Sequence, residues 1–328
     1  MKRNILNLIA IVLLLPFTFV ACGGGEENNN IGEGIQMSIN ATNSFTLRLA
    51  VEGTGKISIK WGDGSPIETY SLRSDSILSY KHTYDKASTY SITVAGELIY
   101  FNCKSGNVTF LDVSKDNVLS KLDCSNNLLT TLDISKNTGI FYLNCEGNRL
   151  SKLDLSKNNL AYLFCGGNNF THIDLNNNTL LTQLDCSLNQ LTNLDVSTNI
   201  RLTDLKCSGN HLSNLQLENN YALAVLHCNG NNISNLDLSA NYRLVDIDCS
   251  LNNSENGLSH LDLSGKLLLK YVRCSSNLFF PQDLNALFET LHDRANEKEY
   301  YIDISKNPGT KGCNTIIAKL KGWNVITE

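Results

Sequence analysis

The sequence has no excess of positive charge. It carries 27 Lys and Arg residues against 32 Asp and Glu residues over 328 positions, which gives a net charge of −5. Without residues 1–22, which hold Lys2, Arg3 and no acidic residue, 25 basic and 32 acidic side chains remain and the charge is −7. A mildly acidic chain lacks the electrostatic footprint for binding nucleic acid or an anionic lipid surface. The charge therefore predicts that the chain binds neither nucleic acid nor an anionic lipid surface.

Histidine is scarce, and sequence signatures of catalysis are missing. Neither a nucleophile–base pair, nor a nucleotide-binding glycine loop, nor a His or Cys spacing typical of metal sites occurs. No segment after the repeats described below is long enough for a catalytic domain. The chain is therefore predicted to be non-enzymatic, without a cofactor or metal. Its six histidines are scattered, at His82, His172, His211, His227, His260 and His292.

Long apolar runs are confined to the first 22 residues, which are predicted to be a targeting segment. A basic start is followed by the apolar stretch Ile5–Val20 and by Phe19-Val20-Ala21-Cys22. These four residues resemble the lipobox of bacterial lipoproteins, which implies acylation of Cys22 and attachment to a membrane through the lipid alone. An ordinary secretory signal or an uncleaved anchor are the alternatives.

The tether predicted over residues 23–34 is rich in Gly, Glu and Asn. Its acidic pair Glu26-Glu27 resembles export signals that carry some lipoproteins to the outer face of the outer membrane. The resemblance implies a lipid-anchored location in the outer membrane, at the cell surface.

Residues 35–97 alternate apolar and polar side chains, as in Phe45–Val51 and Tyr90–Val94, and predict a small antiparallel β-sandwich. Glu52-Gly53 and Gly62-Asp63-Gly64 are predicted turns. The motifs Trp61-Gly62-Asp63-Gly64, His82-Thr83-Tyr84 and Tyr90–Val94 resemble the PKD-type immunoglobulin-like domain, which implies that fold. Asp63 and His82 are predicted to hold the turn and the strand rather than to react.

Cysteine recurs in register from residue 98 to residue 280. Nine cysteines from Cys103 to Cys274 follow each other at steps of 21, 21, 20, 21, 21, 21, 21 and 25 residues. They belong to the pattern L-x-x-L-x-C-x-x-N-x-L-x-x-L-D-L-S-x-N-x-x. This pattern resembles the leucine-rich repeat, in particular the short bacterial subclass called IRREKO. The resemblance implies a parallel β solenoid of nine coils, in which one unit alone cannot bury its apolar face.

The C-terminal residues 281–328 resemble the α/β cap of related bacterial repeat lipoproteins. The fold class predicted for the whole chain is therefore mainly β. An immunoglobulin-like, PKD-type sandwich precedes a leucine-rich-repeat parallel β solenoid, which ends in an α/β cap.

The repeated cysteines are predicted to be buried packing residues. Thiols stacked in parallel register point the same way, which fits poorly with a disulfide dihedral or a tetrahedral metal site. A disulfide or a metal or redox role stays open as an alternative. The outward aspartates of the second half-repeat, such as Asp133 and Asp154, lie one coil apart, so their carboxylates repel each other. This repulsion is reduced either by water, serine hydroxyls and backbone amides or by bound calcium.

In leucine-rich repeats, the variable residues that flank the inward ones on the first strand form the binding face. The aromatic residues concentrate in two neighbouring coils, where they predict either a binding patch or cross-strand stacking. The candidate binding residues are Tyr100, Tyr142, Tyr162, Phe164, Lys206, His227, Tyr271 and Arg273.

Internalin-like adhesins are the family analogy for function, and the analogy is one of fold alone. It implies a non-enzymatic surface lipoprotein that binds a protein of a host or a neighbouring cell. A glycan-binding surface lipoprotein is the alternative, since PKD-like domains often accompany carbohydrate-active modules and aromatic side chains stack on sugars.

Overall fold

The computed structural model describes residues 31–73, 75–252, 257–293 and 299–328. The predicted targeting segment with Cys22, most of the predicted tether, and residues 254–256 of the repeat insertion lie outside the described residues. Within them the chain is mainly β, with a single sheet of 16 strands and two helices.

The N-terminal region consists of antiparallel strands. Strand β2 pairs with β3, β4 and β5, and β1 lies between β5 and β6. Alternate residues of β2, including Leu47, Leu49 and Val51, are buried, because successive side chains of a strand point to opposite faces. The six strands are β1 Ile35–Ala41, β2 Phe45–Lys60, β3 Glu68–Ser71, β4 Leu78–Tyr84, β5 Ser88–Asn102 and β6 Val108–Asp112.

The turn predicted at Glu52-Gly53 is wrong. Strand β2 continues through both residues, and its register against β5 shifts between Glu52 and Gly53 and again between Thr54 and Ser58. A Cβ atom at Gly53 would collide with the carbonyl oxygen of Glu97. Glycine here therefore allows a close approach to β5 at an irregularity of the pair and does not reverse the chain.

The solenoid is built from three-residue parallel strands that pair in register. The end of β5, at Tyr100–Asn102, pairs with β7 and so starts the parallel ladder. Strand β5 thus crosses the predicted boundary between residues 97 and 98, and the N-terminal sheet covers the first coil directly. The strands are β7 Lys121–Asp123, β8 Tyr142–Asn144, β9 Tyr162–Phe164, β10 Gln183–Asp185, β11 Asp204–Lys206, β12 Val225–His227, β13 Asp246–Asp248 and β14 Tyr271–Arg273.

The C-terminal region continues the same ladder. Helix α1, Pro281–Thr290, buries Leu284, Leu287 and Phe288, and its Thr290 hydroxyl accepts the backbone N–H of Leu263 in the last repeat at 3.1 Å. It is followed by β15 Tyr301–Asp303, α2 Ile316–Leu320 and β16 Asn324–Ile326. Strand β15 pairs in parallel with β14, and β16 with β15. These two strands therefore extend the solenoid beyond the repeats.

Each coil contributes the same inward residues to one continuous core. In the coil that begins at Leu119, the inward residues are at most 7% exposed. Burying each leucine contributes about 1.5–3 kcal/mol relative to leaving it exposed. A single coil cannot bury its apolar face, so only a stack of coils gains this free energy. These residues are Leu119, Leu122, Cys124, Leu129, Leu132 and Ile134.

A first ladder of buried asparagines joins neighbouring coils. Asn189 shows the pattern: its Oδ1 accepts the backbone N–H of Phe170 at 3.0 Å, and its Nδ2 donates to the carbonyls of Cys165 at 3.1 Å and Cys186 at 3.0 Å. One side chain thus satisfies backbone groups of its own coil and of the preceding one. The members are Asn127, Asn148, Asn168, Asn189, Asn210, Asn231, Asn252, Asn277 and Asn307.

A second asparagine ladder lies at the opposite corner of the coil. There Asn220 Nδ2 donates to the carbonyl of Asn199 at 3.1 Å, and Asn241 Nδ2 donates to the carbonyl of Asn220 at 3.0 Å. Lys266 takes the next position and donates to the Ser264 carbonyl at 3.1 Å. The Oδ1 atoms of this ladder accept no hydrogen bond within the described residues. Neighbouring coils are therefore joined here only by the hydrogen bonds that the asparagine Nδ2 atoms donate.

We expect the substitution Asn189→Ala to lower the free energy of unfolding by about 2–4 kcal/mol. The change leaves several buried backbone groups without a partner, each of which costs about 1–3 kcal/mol. Urea unfolding followed by circular dichroism measures the effect. The exposed Asn193→Ala, four residues after Asn189 and outside both ladders, is the control and should change stability by less than about 0.5 kcal/mol. Equal effects of the two substitutions would contradict the ladder's role.

Candidate functional site

The strand face is the outward surface formed by the first and third residues of each short solenoid strand. In β8 to β14 the middle residue is buried and its two neighbours are partly or fully exposed. Because the strands pair in register, side chains of neighbouring strands stand about 4.8 Å apart. All eight predicted binding residues lie on this face, at positions set by strands β5, β8, β9, β11, β12 and β14.

Three of them form the aromatic patch, defined as Tyr142, Tyr162 and Phe164. The ring centroid of Tyr142 is 6.1 Å from that of Tyr162 and 5.7 Å from that of Phe164. All three side chains are half-buried. Burial, with a contribution from the nearby Asp123 carboxylate, raises the pKa of Tyr142, so this phenol stays neutral and can donate a hydrogen bond.

Tyr100 lies two strands before the aromatic patch and is separated from it by Lys121. The Tyr100 hydroxyl accepts a hydrogen bond from Asn102 Nδ2 at 2.8 Å. Lys121 Nζ lies 3.9 Å from the Glu52 carboxylate of the N-terminal sheet. Tyr100 therefore borders the patch without ring contact to its three members.

Three further predicted residues belong to the ionic cluster, defined as His227, Asp246, Tyr271, Arg273 and Tyr301. Arg273 Nη1 donates to Asp246 Oδ1 at 2.8 Å, and His227 Nε2 lies 3.4 Å from Asp246 Oδ2. Burial alone would raise the pKa of Asp246, but the contacts with His227 and Arg273 outweigh it and lower the pKa. The rings of Tyr271 and Tyr301 are 5.1 Å apart, and the Arg273 guanidinium lies 5.8 Å from the Tyr301 ring centroid.

On this one face, six of the eight predicted residues thus fall into two separate groups, the aromatic patch and the ionic cluster. Lys206 lies between them on β11, is exposed, and takes part in no ion pair among the described residues. Sequence reasoning missed the roles of Asp246, which holds two of the candidates, and of Tyr301, which lies in the cap. The second could have been found by extending the repeat register past Phe280, because Tyr301 occupies the position of Tyr271.

Asp63, Ser65 and His82 form a compact group in the N-terminal region. The Asp63 carboxylate accepts hydrogen bonds from the Ser65 hydroxyl at 2.6 Å and from His82 Nε2 at 2.7 Å. Burial opposes ionisation of Asp63, but these hydrogen bonds prevail and lower its pKa to about 2. The serine is bonded to the carboxylate and not to the imidazole, so His82 is not placed to activate it. The group holds the turn.

The outward aspartates of the second half-repeat bind their own turns. Asp133 Oδ1 accepts the backbone N–H of Ser135 at 2.8 Å, and Asp154 Oδ1 accepts that of Ser156 at 2.9 Å. The backbone and hydroxyl of Ser135 lower the pKa of Asp133. Among the described residues, no three His, Cys, Asp or Glu side chains are grouped to hold a metal ion. Calcium binding along this column stays a prediction.

The repeated cysteines form a buried file behind the strand face. The nine from Cys103 to Cys274 are free thiols with no exposed surface. Burial raises the pKa of each, to about 12 for Cys145. The thiolate is the reactive form of cysteine, so the file is chemically protected.

The comparisons with known proteins concern the solenoid. The functional domain of InlJ from Listeria monocytogenes, which includes a cysteine ladder, is similar with a TM-score of 0.59 and 35% identity over 68% of this chain. The match covers 47% of that protein, so this chain spans about half of its length. An internalin, InlF, from the same organism matches with a TM-score of 0.46 and 17% identity, over 70% of this chain and 80% of its own.

Structural neighbours of the chain are internalin-like leucine-rich-repeat proteins, and the β solenoid described above matches the repeat architecture of the InlJ domain. No protein-family model matches the chain, and the search of curated proteins gives no match. Within the described residues, no helix combines the length and the apolar character needed to cross a bilayer.

We expect the nine cysteines of the file to resist alkylation in the native protein at mildly alkaline pH and to react once it is unfolded in denaturant. Peptide mass spectrometry after iodoacetamide treatment counts the labelled sites residue by residue. Cys313, which is only partly buried, serves as the internal comparison and should label first. Prompt native labelling of most of the file would mean that the stacked core is not closed.

Proposed function

We propose that this chain is a non-enzymatic cell-surface lipoprotein that binds a protein partner through the strand face. Acylated Cys22 would supply the anchor, and a PKD-type immunoglobulin-like region over residues 35–97 would lead into the solenoid. The observation that carries the proposal is the aromatic patch, because it places three half-buried rings together on the outside of a rigid ladder.

The chemistry of the patch suits a protein interface. Tyrosine and other aromatic residues are enriched at the centres of such interfaces, where they lose little conformational freedom on binding. Tyr142, Tyr162 and Phe164 are already ordered by contact with one another, so binding needs little further ordering. The similarity of the repeats to the InlJ domain, at 35% identity, supports the same class of function.

The ionic cluster offers a second, polar anchor on the same face. It begins at β12, three strands from the aromatic patch on β9, and the two are therefore about 14 Å apart. Arg273 and Asp246 are held by their mutual hydrogen bonds. Two fixed anchors at this distance fit the surface of a folded partner better than a small ligand, which would reach only one of them.

The ring geometry favours a protein over a glycan. The ring plane of Tyr142 is inclined by 44° to that of Tyr162 and by 51° to that of Phe164. Sugars stack on exposed flat ring faces, whereas these rings meet at an angle and cover part of each other. Glycan binding is therefore not proposed for this patch, although the experiment below would detect it.

The test compares the wild-type protein with Tyr162→Ala and Phe164→Ala on arrays of cell-surface proteins and of glycans. Truncating a central aromatic anchor costs about 2 kcal/mol or more, so we expect affinity for a protein partner to fall about 30-fold. Thr171→Ala and Thr192→Ala, on the second half-repeat and exposed, are the matched controls. Thermal melting of each variant verifies that it remains folded.

Two results would contradict the proposal. One is glycan binding that the aromatic substitutions abolish, which would assign the patch to sugars. The other is protein binding that neither substitution changes.

The location is tested separately by protease shaving of intact cells, where we expect loss of the protein from wild-type cells. Survival of the protein in intact cells, with digestion after lysis, would place it inside the envelope.

A further inference from the structure

A second exposed surface lies at the corner of the coil that follows the second asparagine ladder. A β-turn begins there at each ladder asparagine, as shown by the hydrogen bond from the Leu223 N–H to the Asn220 carbonyl at 3.1 Å. The second residue of the turn is exposed. In two neighbouring coils this residue is a tyrosine, and we name Tyr221 and Tyr242 the tyrosine pair.

The tyrosine pair is more exposed than the aromatic patch. Both of its residues are 60% exposed, whereas the members of the aromatic patch are half-buried and cover part of each other. Earlier coils have Thr138, Asn159 and Thr179 at the corresponding position, so the fold does not require an aromatic residue there. The pair therefore presents ring surface that the solenoid does not use for its own core.

One face of the Tyr242 ring rests on the following coil. Lys266 Nζ lies 4.9 Å from the ring centroid, and Lys266 is itself only 2% exposed, so its ammonium supports the ring from the inner side. A Cβ atom at Gly265 would lie 3.5 Å from Tyr242 Cε1, so the backbone of that coil is close to the ring as well. The ring face opposite Lys266 is open to solvent. Tyr242 is thus a supported, flat platform that needs little ordering when a ligand binds.

Two arginines border the tyrosine pair on one side. Arg201 and Arg243 are each the third residue of their turn, and both are exposed. Neither arginine forms an ion pair within the part of the chain that the structure describes. Their turns belong to coils two apart, so their backbones are about 10 Å from each other along the solenoid. This side of the pair therefore offers two separate sites for anionic groups.

The other side of the tyrosine pair carries a hydrogen-bond acceptor. Glu218 lies three residues before Tyr221, on the opposite side of the turn from the arginines, and is exposed. An ionised carboxylate accepts hydrogen bonds from hydroxyl groups. Across the surface the order is thus carboxylate, aromatic ring and guanidinium. A sugar ring with hydroxyls on one edge and a carboxylate on the other complements this order.

We propose that the tyrosine pair binds an oligosaccharide of uronic acid units. The flat C–H face of each sugar ring packs on a tyrosine ring, because both surfaces are apolar and are removed from water together. The sugar carboxylates pair with Arg201 and Arg243, whose guanidinium groups bind carboxylates in a bidentate manner. In an extended chain whose units alternate in orientation, every second carboxylate points to the same side. That arrangement fits arginines that lie two coils apart.

The size of the surface favours a glycan over a protein. Stable protein interfaces bury about 800 Å² on each partner, with about twenty or more residues a side. The tyrosine pair with its two arginines and Glu218 supplies much less, even with Ile200 and Leu267, which are 58% and 61% exposed at its two ends. A short run of sugar units needs no more than this. None of these residues belongs to the strand face, so the proposal does not rest on the partner of that face.

Calorimetric titration of the purified full chain tests the proposal. The probes are oligomannuronate and, as its neutral counterpart, the mannose oligomer of the same linkage and length. We expect oligomannuronate to bind at least about 10-fold more tightly than the neutral oligomer, because only its carboxylates pair with the arginines. Added salt should weaken this binding, since it screens exposed charges.

Substitutions assign the binding to the tyrosine pair. Tyr242→Ala should weaken the binding of oligomannuronate about 10-fold, because it removes the stacking face, whereas Tyr242→Phe keeps the ring and should stay within about 2-fold of wild type. Arg243→Gln should reduce the preference for the acidic oligomer over the neutral one. Leu188→Ala, at an exposed leucine on another corner, is the control and should bind as wild type does. Thermal melting verifies that each variant is folded.

Absence of oligomannuronate binding, equal binding of the neutral oligomer, or wild-type binding by Tyr242→Ala would each overturn the proposal. So would binding of a sialylated oligosaccharide in place of oligomannuronate, or loss of protein binding on the arrays described above when Tyr242 is replaced by alanine. Tyr162→Ala and Phe164→Ala should leave the titration unchanged. If they abolish it, the glycan binds at the aromatic patch and not at the tyrosine pair. Failure to find a protein partner for the strand face leaves the expected titration as it is.

Discussion

The hydrogen bonds made by buried asparagine side chains are the interaction on which the rest of the structure depends. A coil of about 21 residues turns too tightly for its corners to satisfy their own backbone groups, and unpaired buried groups are costly. Asn189 and its equivalents supply the missing partners and join each coil to the one before it. Because these bonds repeat, the coils stack in register. Register in turn places the side chains of the strand face in straight rows.

The cysteine file follows from the same tight coil. Cys145 and its equivalents occupy a fully buried inward position, where cysteine packs as a small hydrophobe. Its burial raises the pKa of the thiols and keeps them unreactive. The InlJ domain also includes a cysteine ladder. A file of buried thiols is thus compatible with a purely structural role.

A solenoid separates the demands of stability from those of recognition. Inward positions repeat almost without change, whereas outward positions such as Tyr162, Asp246 and Tyr221 vary from coil to coil. This freedom allows one solenoid to carry both an aromatic patch and an ionic cluster on its strand face.

The repeat alone predicted the parallel solenoid, the burial of Leu122 and Cys124, and the membership of all eight candidates in one face. It did so because each of these depends on residues within a single coil. Only the tertiary structure showed that β2 runs through Glu52-Gly53 and that Asp246 lies beside both His227 and Arg273. Those features depend on which side chains of separate coils or strands come to lie beside each other, and that is decided by register and packing across the stack.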